Sequence, residues 1–531
     1  MDEAQKPAGN KAQSLSGPDQ KQIDYVYENR RYVGRRETVG YVIWDMAQSY
    51  NINNYGGRFI TSILQVDMTY QQIINFFSTI WDIINDIFTA AIIEKTRTRW
   101  GKFKPYLVVL MGPGTLGNCI FWLLPFFFIG SDPKSLSKAA AFFALGFLRD
   151  FEGTFRGISR GGLLATITPH PVDRTRLITQ ANFWSGFLGE KLPEQLMTVF
   201  IDLIDNRVWK AKDGNISGLF TRLFSGMGIA TAIVSGTASF WFCFITRERV
   251  MQSIQAPTIR QSIKSITNNR PILLLTLSKI INSLSIGGAK EDYFIDVLHF
   301  ASMTMVAGIP GAFMHPIGYA LIPWFRKRWS TMFLYIGNYL VSTMSILPVF
   351  LVGAIGGAKN GLYKRKIPML IAYALQEMLF MLLYGLGEVI ENDIQNEAMD
   401  YCEWRNGYRT EAMTSVARGL AIKLGGILTG TINLQIKKWA RYDQTTYVRG
   451  LEQSDKTKFY LFAACTVMPL IAQAASITPM FFYNLKEKER ENMYAELLDR
   501  RQKAANTVTG GDLEAIERLA KEQMEIGDRR G

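Results

Sequence analysis

The chain has 531 residues, of which 48% are hydrophobic and only 20% charged, with a formal net charge of +13. A soluble domain carries more charge than this, and the positive excess lies in short segments between apolar runs, which argues against a nucleic-acid-binding surface. The four cysteines, Cys119, Cys243, Cys402 and Cys465, have neither metal-ligand spacing nor the pattern of an extracellular disulfide framework.

The chain opens with a polar stretch that lacks the short apolar core and cleavage site of a signal peptide, and reads as a cytoplasmic tail over 1–34. Twelve apolar spans follow, at 39–62, 70–93, 105–129, 137–166, 176–203, 219–246, 271–296, 300–325, 329–353, 367–392, 411–436 and 458–484. Five uncharged stretches, Tyr106–Gly130, Leu223–Thr246, Phe300–Phe325, Trp329–Ala358 and Phe459–Asn484, are each long enough to cross a bilayer as a helix at about 1.5 Å per residue. The pattern predicts an all-α membrane protein of twelve transmembrane helices embedded in the lipid bilayer. The long connection at 247–270 divides it into two six-helix bundles, 35–246 and 271–485, around a central cavity. A charged tail follows from 486 to 531, with a helix expected over Asp512–Arg529.

Orientation follows from the loops. Lys95, Arg97, Arg99, Lys102 and Lys104 follow the second span, Arg247, Arg249, Arg260, Lys264 and Arg270 the sixth, and Arg326, Lys327 and Arg328 the eighth. If the spans alternate, these loops share a side. The positive-inside bias places them and both termini in the cytoplasm. The group Lys359, Lys364, Arg365 and Lys366 falls on the outer side, against the bias.

The segment Trp81–Tyr106 reads WDIINDIFTAAIIEKTRTRWGKFKPY. Asp82, Asn85 and Asp86 share one helix face. Two carboxylates this close in a desolvated place repel, and are stable when a cation binds between them or one takes a proton. Because the apolar run continues to Ile93, the span begins near Gln71 and the acids lie near mid-membrane. Na⁺ or Li⁺ at Asp82 and Asp86, or H⁺, fits this oxygen-rich set. Asp45, inside GYVIWD, is another buried acid that core packing does not explain.

These segments resemble the glycoside–pentoside–hexuronide:cation symporters of the major facilitator superfamily, the melibiose-permease-like transporters. WDIINDI…EKTRTRWGKFKPY carries the most specific part of the resemblance. NEAMDYCEWRNGYRTEAMTSVARGLAIKLGG, at Asn396–Gly426, and GYVIWD are looser matches, and the likeness spans roughly 35–485. The resemblance implies a twelve-helix, two-bundle fold that cotransports a sugar-type solute with Na⁺, Li⁺ or H⁺ and needs no other cofactor. It implies a cation site at Asp82, Asn85, Asp86 and Thr154, with Lys423 beside the acids to couple or balance charge, and a substrate-binding Asp45. It also implies a monomer in the cytoplasmic (inner) membrane of a bacterium.

Family positions for sugar recognition fall here on Gly157, Gly161 and Asn182, so most of the melibiose-type sugar site is absent and Asp45 remains. Helix four reads LRDFEGTFRGISRGG, with Glu152, Arg156 and Arg160 at intervals of four. The Glu–Arg spacing permits an internal ion pair. Two readings of the arginines stay open: snorkelling to headgroups at the cytoplasmic end, or an Arg156 that binds a substrate carboxylate such as a hexuronide. Trp44, Tyr41, Tyr50 and Trp184 are candidates to stack on a sugar ring, and equally candidates for ordinary packing.

In the second half, Lys279 and Glu377 lie deep in apolar runs and are expected to line the pore. Asp400, Glu403, Arg405 and Arg409, facing Arg97, Arg99 and Lys104, are expected to form a cytoplasmic gate of inter-bundle ion pairs. No nucleophile–base grouping, metal-ligand spacing or phosphate loop points to an enzyme. The expected function is secondary active symport of a small glycoside, oligosaccharide or uronide. The alternatives are a cation-independent facilitator or exchanger of a non-sugar solute, and a receptor or scaffold without transport.

Overall fold

Among the described residues every regular element is helical, and strand-like pairing is limited to an isolated bridge between Thr98 and Gly101. The computed structural model describes residues 33–500, apart from 97, 99, 168–170, 211–215, 249–268, 285, 407–410, 447–448, 450, 484–488 and 498. Most of the 247–270 connection, the N-terminal tail and the expected Asp512–Arg529 helix lie outside the described residues.

The described helices group into twelve passes. The N-terminal six passes are α1 (Arg35–Ser49) with its continuation to Ile63, α2 (Met68–Lys95), α3 (Lys104–Phe127), α4 (Leu136–Ile167), α5 (Pro171–Trp184) with α6 (Lys191–Asp205), and α7 (Ile216–Ile245). The C-terminal six are α8 (Arg270–Ser283) with α9 (Lys290–Asp296), α10 (Met303–Arg328), α11 (Thr331–Met344) with α12 (Leu347–Ala354), α13 (Lys366–Asn406), α14 (Glu411–Trp439), and α15 (Asp455–Thr466) with α16 (Met468–Ile477). Six of these stretches are both long and apolar enough to cross a membrane on composition alone: α3, α7, α10, α13, Thr331–Ala354 and Asp455–Phe482. The other passes carry internal charges or breaks. Large apolar side chains such as Phe127, Phe244, Phe313 and Ile367 point outward, as a surface that meets lipid requires.

Two spans expected as single helices are broken by several non-helical residues, whereas the ninth and twelfth are interrupted by only one or two. The first stops at Tyr50, because SYNINNYGG is rich in Asn and Gly, which favour turns over helix, and it resumes as a π-helical turn at Phe59–Ile63. The seventh breaks between α8 and α9 at Leu284–Ala289. There Gly287 adopts a φ of +153° and its N–H donates to Asn433 Oδ1 at 2.9 Å. A Cβ at Gly287 would lie 2.6 Å from the Ala464 carbonyl oxygen, so only glycine fits this crossing. The fifth pass contains a π-helical segment, Ser185–Glu190, between α5 and α6.

The 41-residue α13 spans about 60 Å, roughly twice a bilayer's hydrocarbon thickness, so its last turns project beyond the membrane. Residues 489–497 form a helix that packs there. Arg490 pairs with Glu397 at 3.1 Å, Trp404 Nε1 donates to Glu496 at 2.7 Å, and Met493 and Leu497 are buried.

The bundles meet along α2 and α14, which run antiparallel. Toward the face away from the projecting end of α13, Gln72 Nε2 donates to the Thr431 carbonyl and to Gln435, both at 3.2 Å, and Lys438 donates to Thr69 and Gln72 at 2.9 and 2.7 Å. On that far face lies a buried charge network. Arg58, in the break of the first pass, pairs with Asp296 at 2.6 Å and Asp292 at 3.3 Å. Lys437 reaches Asp292 at 2.5 Å, and Tyr442 donates to Asp296 at 3.0 Å. Beside it, Asp202 of α6 accepts the N–H groups of Ala301 and Ser302, and Asp205 meets His299 Nδ1 at 2.8 Å. These contacts tie the far half of the molecule together across the two bundles.

Candidate functional site

Helix α2 starts cleanly, because Asp67 caps it by accepting the Thr69 N–H at 2.8 Å. Four turns on, Asp82 and Asp86 face α14, and Lys423 reaches over from the other bundle. Its ammonium lies 2.9 Å from Asp82 Oδ2 and pairs with Asp86 Oδ2 as well. Asn85 is fully buried on the side facing α4, where its amide donates to the Asp150 carbonyl at 3.4 Å and its Oδ1 accepts from Thr89 at 3.1 Å. Thr154 donates to the same Asp150 carbonyl at 3.0 Å. Asp82, Asp86 and Lys423 meet between α2 and α14, while Asn85 and Thr154 meet at the Asp150 carbonyl between α2 and α4.

The sequence reading passed over Asp150, whose carboxylate interacts electrostatically with Asp82, Arg149 and Lys423. The signal was present: Arg149 and Asp150 interrupt the apolar run AAAFFALGFL.

Asp45 is buried and already satisfied. Arg160 pairs with it, and Ser185, presented by the π-helical segment, donates to Asp45 Oδ2 at 2.7 Å. Arg160 thus folds into the bundle to meet an acid 115 positions earlier, which corrects the snorkelling reading for this residue. Trp44 is buried and stacks on Phe242, with ring centroids 4.6 Å apart at 16°. It is a packing residue in this arrangement and does not face the cavity as a sugar-stacking ring would. Arg156 forms the internal pair with Glu152 at 3.3 Å. Gly157 has open space where a Cβ would stand, Gly161 lies one turn further along α4, and Asn182 is exposed on α5.

The Glu152–Arg156 pair lines a cavity of about 220 Å³ inside the N-terminal bundle, together with Gln48, Asn51, Asn118 and Arg149. Gly114 makes room for it: a Cβ there would lie 2.5 Å from the Glu152 carboxyl carbon. A counterpart of about 290 Å³ lies in the C-terminal bundle, lined by Asn282, Asn338, Tyr339, Ser342, Glu391 and Gln473 among others. There Tyr339 donates to Asn282 Oδ1 at 2.6 Å and accepts from Ser476 at 2.7 Å. Lys279 pairs with Glu391, and Lys290 pairs with Glu377 at 3.2 Å. Both deep charges expected to line a pore are thus neutralised within their own bundle. A third cavity, also about 290 Å³, lies between the bundles beside Arg58, Asn75, Asp292 and Lys437.

The expected gate is only partly visible. Arg97, Arg99 and Arg409 lie outside the described residues. Lys104 does not cross to the other bundle: its ammonium donates to the Thr246 carbonyl at 2.8 Å, while Glu248 accepts the N–H groups of Lys102, Phe103 and Lys104 at 2.7–2.8 Å. The positive loop is thereby tied to the end of α7, which removes Lys104 as an inter-bundle partner. Arg405 bonds to Tyr401 on its own helix at 3.2 Å, and Asp400 and Glu403 stand on the projecting end of α13.

Residues 39–487 match the model of the family described as MFS/sugar transport protein. The chain belongs to this family. It is a multi-pass membrane transporter and not an enzyme. Curated relatives align over nearly their whole length. A putative sulfoquinovose importer of Salmonella typhimurium is 24% identical, covering 86% of this chain and 91% of that protein. A glucuronide carrier protein homolog of Escherichia coli is 21% identical, covering 88% and 96%. A putative 2,3-dihydroxypropane-1-sulfonate exporter of Escherichia coli is 24% identical, covering 87% and 95%. Among solved structures, the nucleoside transporter NupG superposes with a TM-score of 0.53 at 11% identity over 85% of this chain and 99% of its own. The POT family transporter PepTSo gives 0.52 at 10% identity over 86% and 99%. At such identities the two structures speak for the shared fold alone.

Proposed function

We propose that this family member is a secondary active symporter that couples uptake of a sugar-type solute to Na⁺, Li⁺ or H⁺ by alternating access. The observation that carries the reading is the Lys423 ammonium held by Asp82 and Asp86 across the bundle interface. A cation entering between these carboxylates competes with the lysine for the same oxygens. Its binding frees Lys423 and loosens a contact between α2 and α14. Since Asn85 and Thr154 both hold the Asp150 backbone, the change passes to α4 and the cavity beside it. By linkage, the solute then raises cation affinity by the factor by which the cation raises solute affinity. In this reading the far face is the outer one, both termini lie in the cytoplasm of a bacterial inner membrane, and one chain suffices. Names of relatives that include a glucuronide and a sulfonated sugar favour a uronide or similar acidic glycoside as solute.

The same lysine motivates a second reading. If Lys423 serves as a permanent internal counter-ion, the acids need no external cation and the chain is a facilitator or exchanger. Purified protein in liposomes separates the two. Symport gives accumulation that requires an inward Na⁺ or proton gradient and disappears in Asp82→Asn and Asp86→Asn. Equilibration at the same rate with and without a gradient, unaffected by either substitution, would reject symport.

A further inference from the structure

The three arginines of α4 are not equivalent. Arg156 is neutralised by Glu152 and Arg160 by Asp45. Arg149 lines the same 220 Å³ cavity but is held by neutral groups: its Nε donates to Asn118 Oδ1 at 2.8 Å, and its guanidinium carbon lies 3.9 Å from the centre of the Phe121 ring. Among the described residues no carboxylate lies within ion-pair distance of it. Asp150, its neighbour in sequence, also lines the cavity but makes no ion pair with Arg149 among the described residues. A cation inside a membrane bundle is costly without an anion, and a planar guanidinium presents a fork matched to an oxyanion.

We infer that Arg149 is the receptor for an acidic group on the transported solute, and that the N-terminal cavity is the subsite for that end of the ligand. Size supports a subsite: about 220 Å³ is less than the roughly 300–1,000 Å³ of a whole small-molecule site. Its other lining groups, the amides of Asn51 and Asn118 and the Glu152–Arg156 pair, suit the hydroxyls adjoining such a group. Carboxylate and sulfonate share this chemistry. The location also gives the acid group a route to the coupling site, since Arg149 is adjacent to Asp150 and the backbone of Asp150 receives both Asn85 and Thr154.

The inference rests on the sugar-transport reading, and the experiment keeps the two apart. Binding of 4-nitrophenyl β-D-glucuronide, its neutral glucoside counterpart and a 6-sulfonated glucoside is measured on purified protein with and without Na⁺ and at pH 5.5 and 8. The expected result is that wild type prefers one or both acidic probes. Arg149→Gln weakens that binding by roughly ten- to a hundredfold, the value of a lost charged hydrogen-bond pair, and leaves the glucoside within about twofold. Arg149→Lys, which keeps the charge but not the fork, restores part of the preference. Cation dependence persists in Arg149→Gln and is lost for every probe in Asp82→Asn. Wild type without a preference for either acidic probe, or Arg149→Gln weakening acidic and neutral probes equally, overturns the assignment of Arg149. Cation dependence that survives in Asp82→Asn overturns the symport reading and leaves the subsite standing.

Discussion

Each bundle has its own cavity, yet the charges beside the two cavities are neutralised differently. In the C-terminal bundle Lys279 meets Glu391 and Lys290 meets Glu377, so these charges introduced by one helix are cancelled by a neighbour in the same bundle. Its cavity is lined in part by amides and hydroxyls, those of Asn282, Asn338, Tyr339, Ser342 and Gln473. In the N-terminal bundle Asp82, Asp86, Asp150 and Arg149 crowd one locus, and two of these acids wait for a lysine from the other half. Cancelled charge holds a structure in place, whereas charge neutralised only across a moving boundary senses where the other half stands. On the proposed symport reading, ion chemistry falls to the N-terminal bundle, and the C-terminal bundle contributes Lys423 to it.

Four substitutions test that division. The largest effect is expected from Lys423→Ala, which leaves two facing carboxylates unneutralised: solute accumulation in liposomes should vanish while the protein still purifies as a folded species. Retained accumulation would show that the C-terminal bundle supplies nothing to the ion site. Next is Arg58→Met, which strands Asp296 and part of Asp292 in a buried place. Breaking such a network costs about 3–5 kcal/mol, visible as a lowered unfolding temperature in detergent. Third, Lys279→Ala and Glu391→Ala should each destabilise more than the double substitution does, with a coupling of about 0.5–3 kcal/mol. Additive losses would mean that this C-terminal pair is not self-cancelling.

The smallest effect concerns His299, in the loop that receives α6. Its hydrogen bond with Asp205 holds the imidazole pKa above the ordinary value. Stability from this latch is therefore fully present below about pH 6.5 and fades as pH rises through the higher folded value. With the ring about a third exposed, the contribution stays under about 1 kcal/mol. A pH series of unfolding temperatures should lose this component in His299→Gln; an unchanged series would remove His299 from the contact between bundles.

The most apolar passes were readable because lipid imposes a simple demand, a helix-length run with little charge, and that demand shows in composition. The breaks were not, because SYNINNYGG and SIGGA lie inside runs that remain apolar on average, and the average conceals the residues that stop a helix. The acids were readable from WDIIND alone, while Lys423 entered only through resemblance, since 337 positions separate it from Asp86. The partner of Arg160 was not readable for the same reason: Asp45 lies 115 positions earlier, and no local pattern encodes the pair. Lys104 looked like a free gate charge because a basic loop gives no hint that the end of α7 will receive it.

The buried network around Arg58 has a consequence for the cell that harbours the protein. A carrier is safe only if it never forms a continuous water path, and here four charges and a tyrosine are packed at the seam between the halves. Loosening that seam would first appear as leak, a slow dissipation of the ion gradient by a protein that still moves its solute, and the cost to the host would be energetic before it was nutritional.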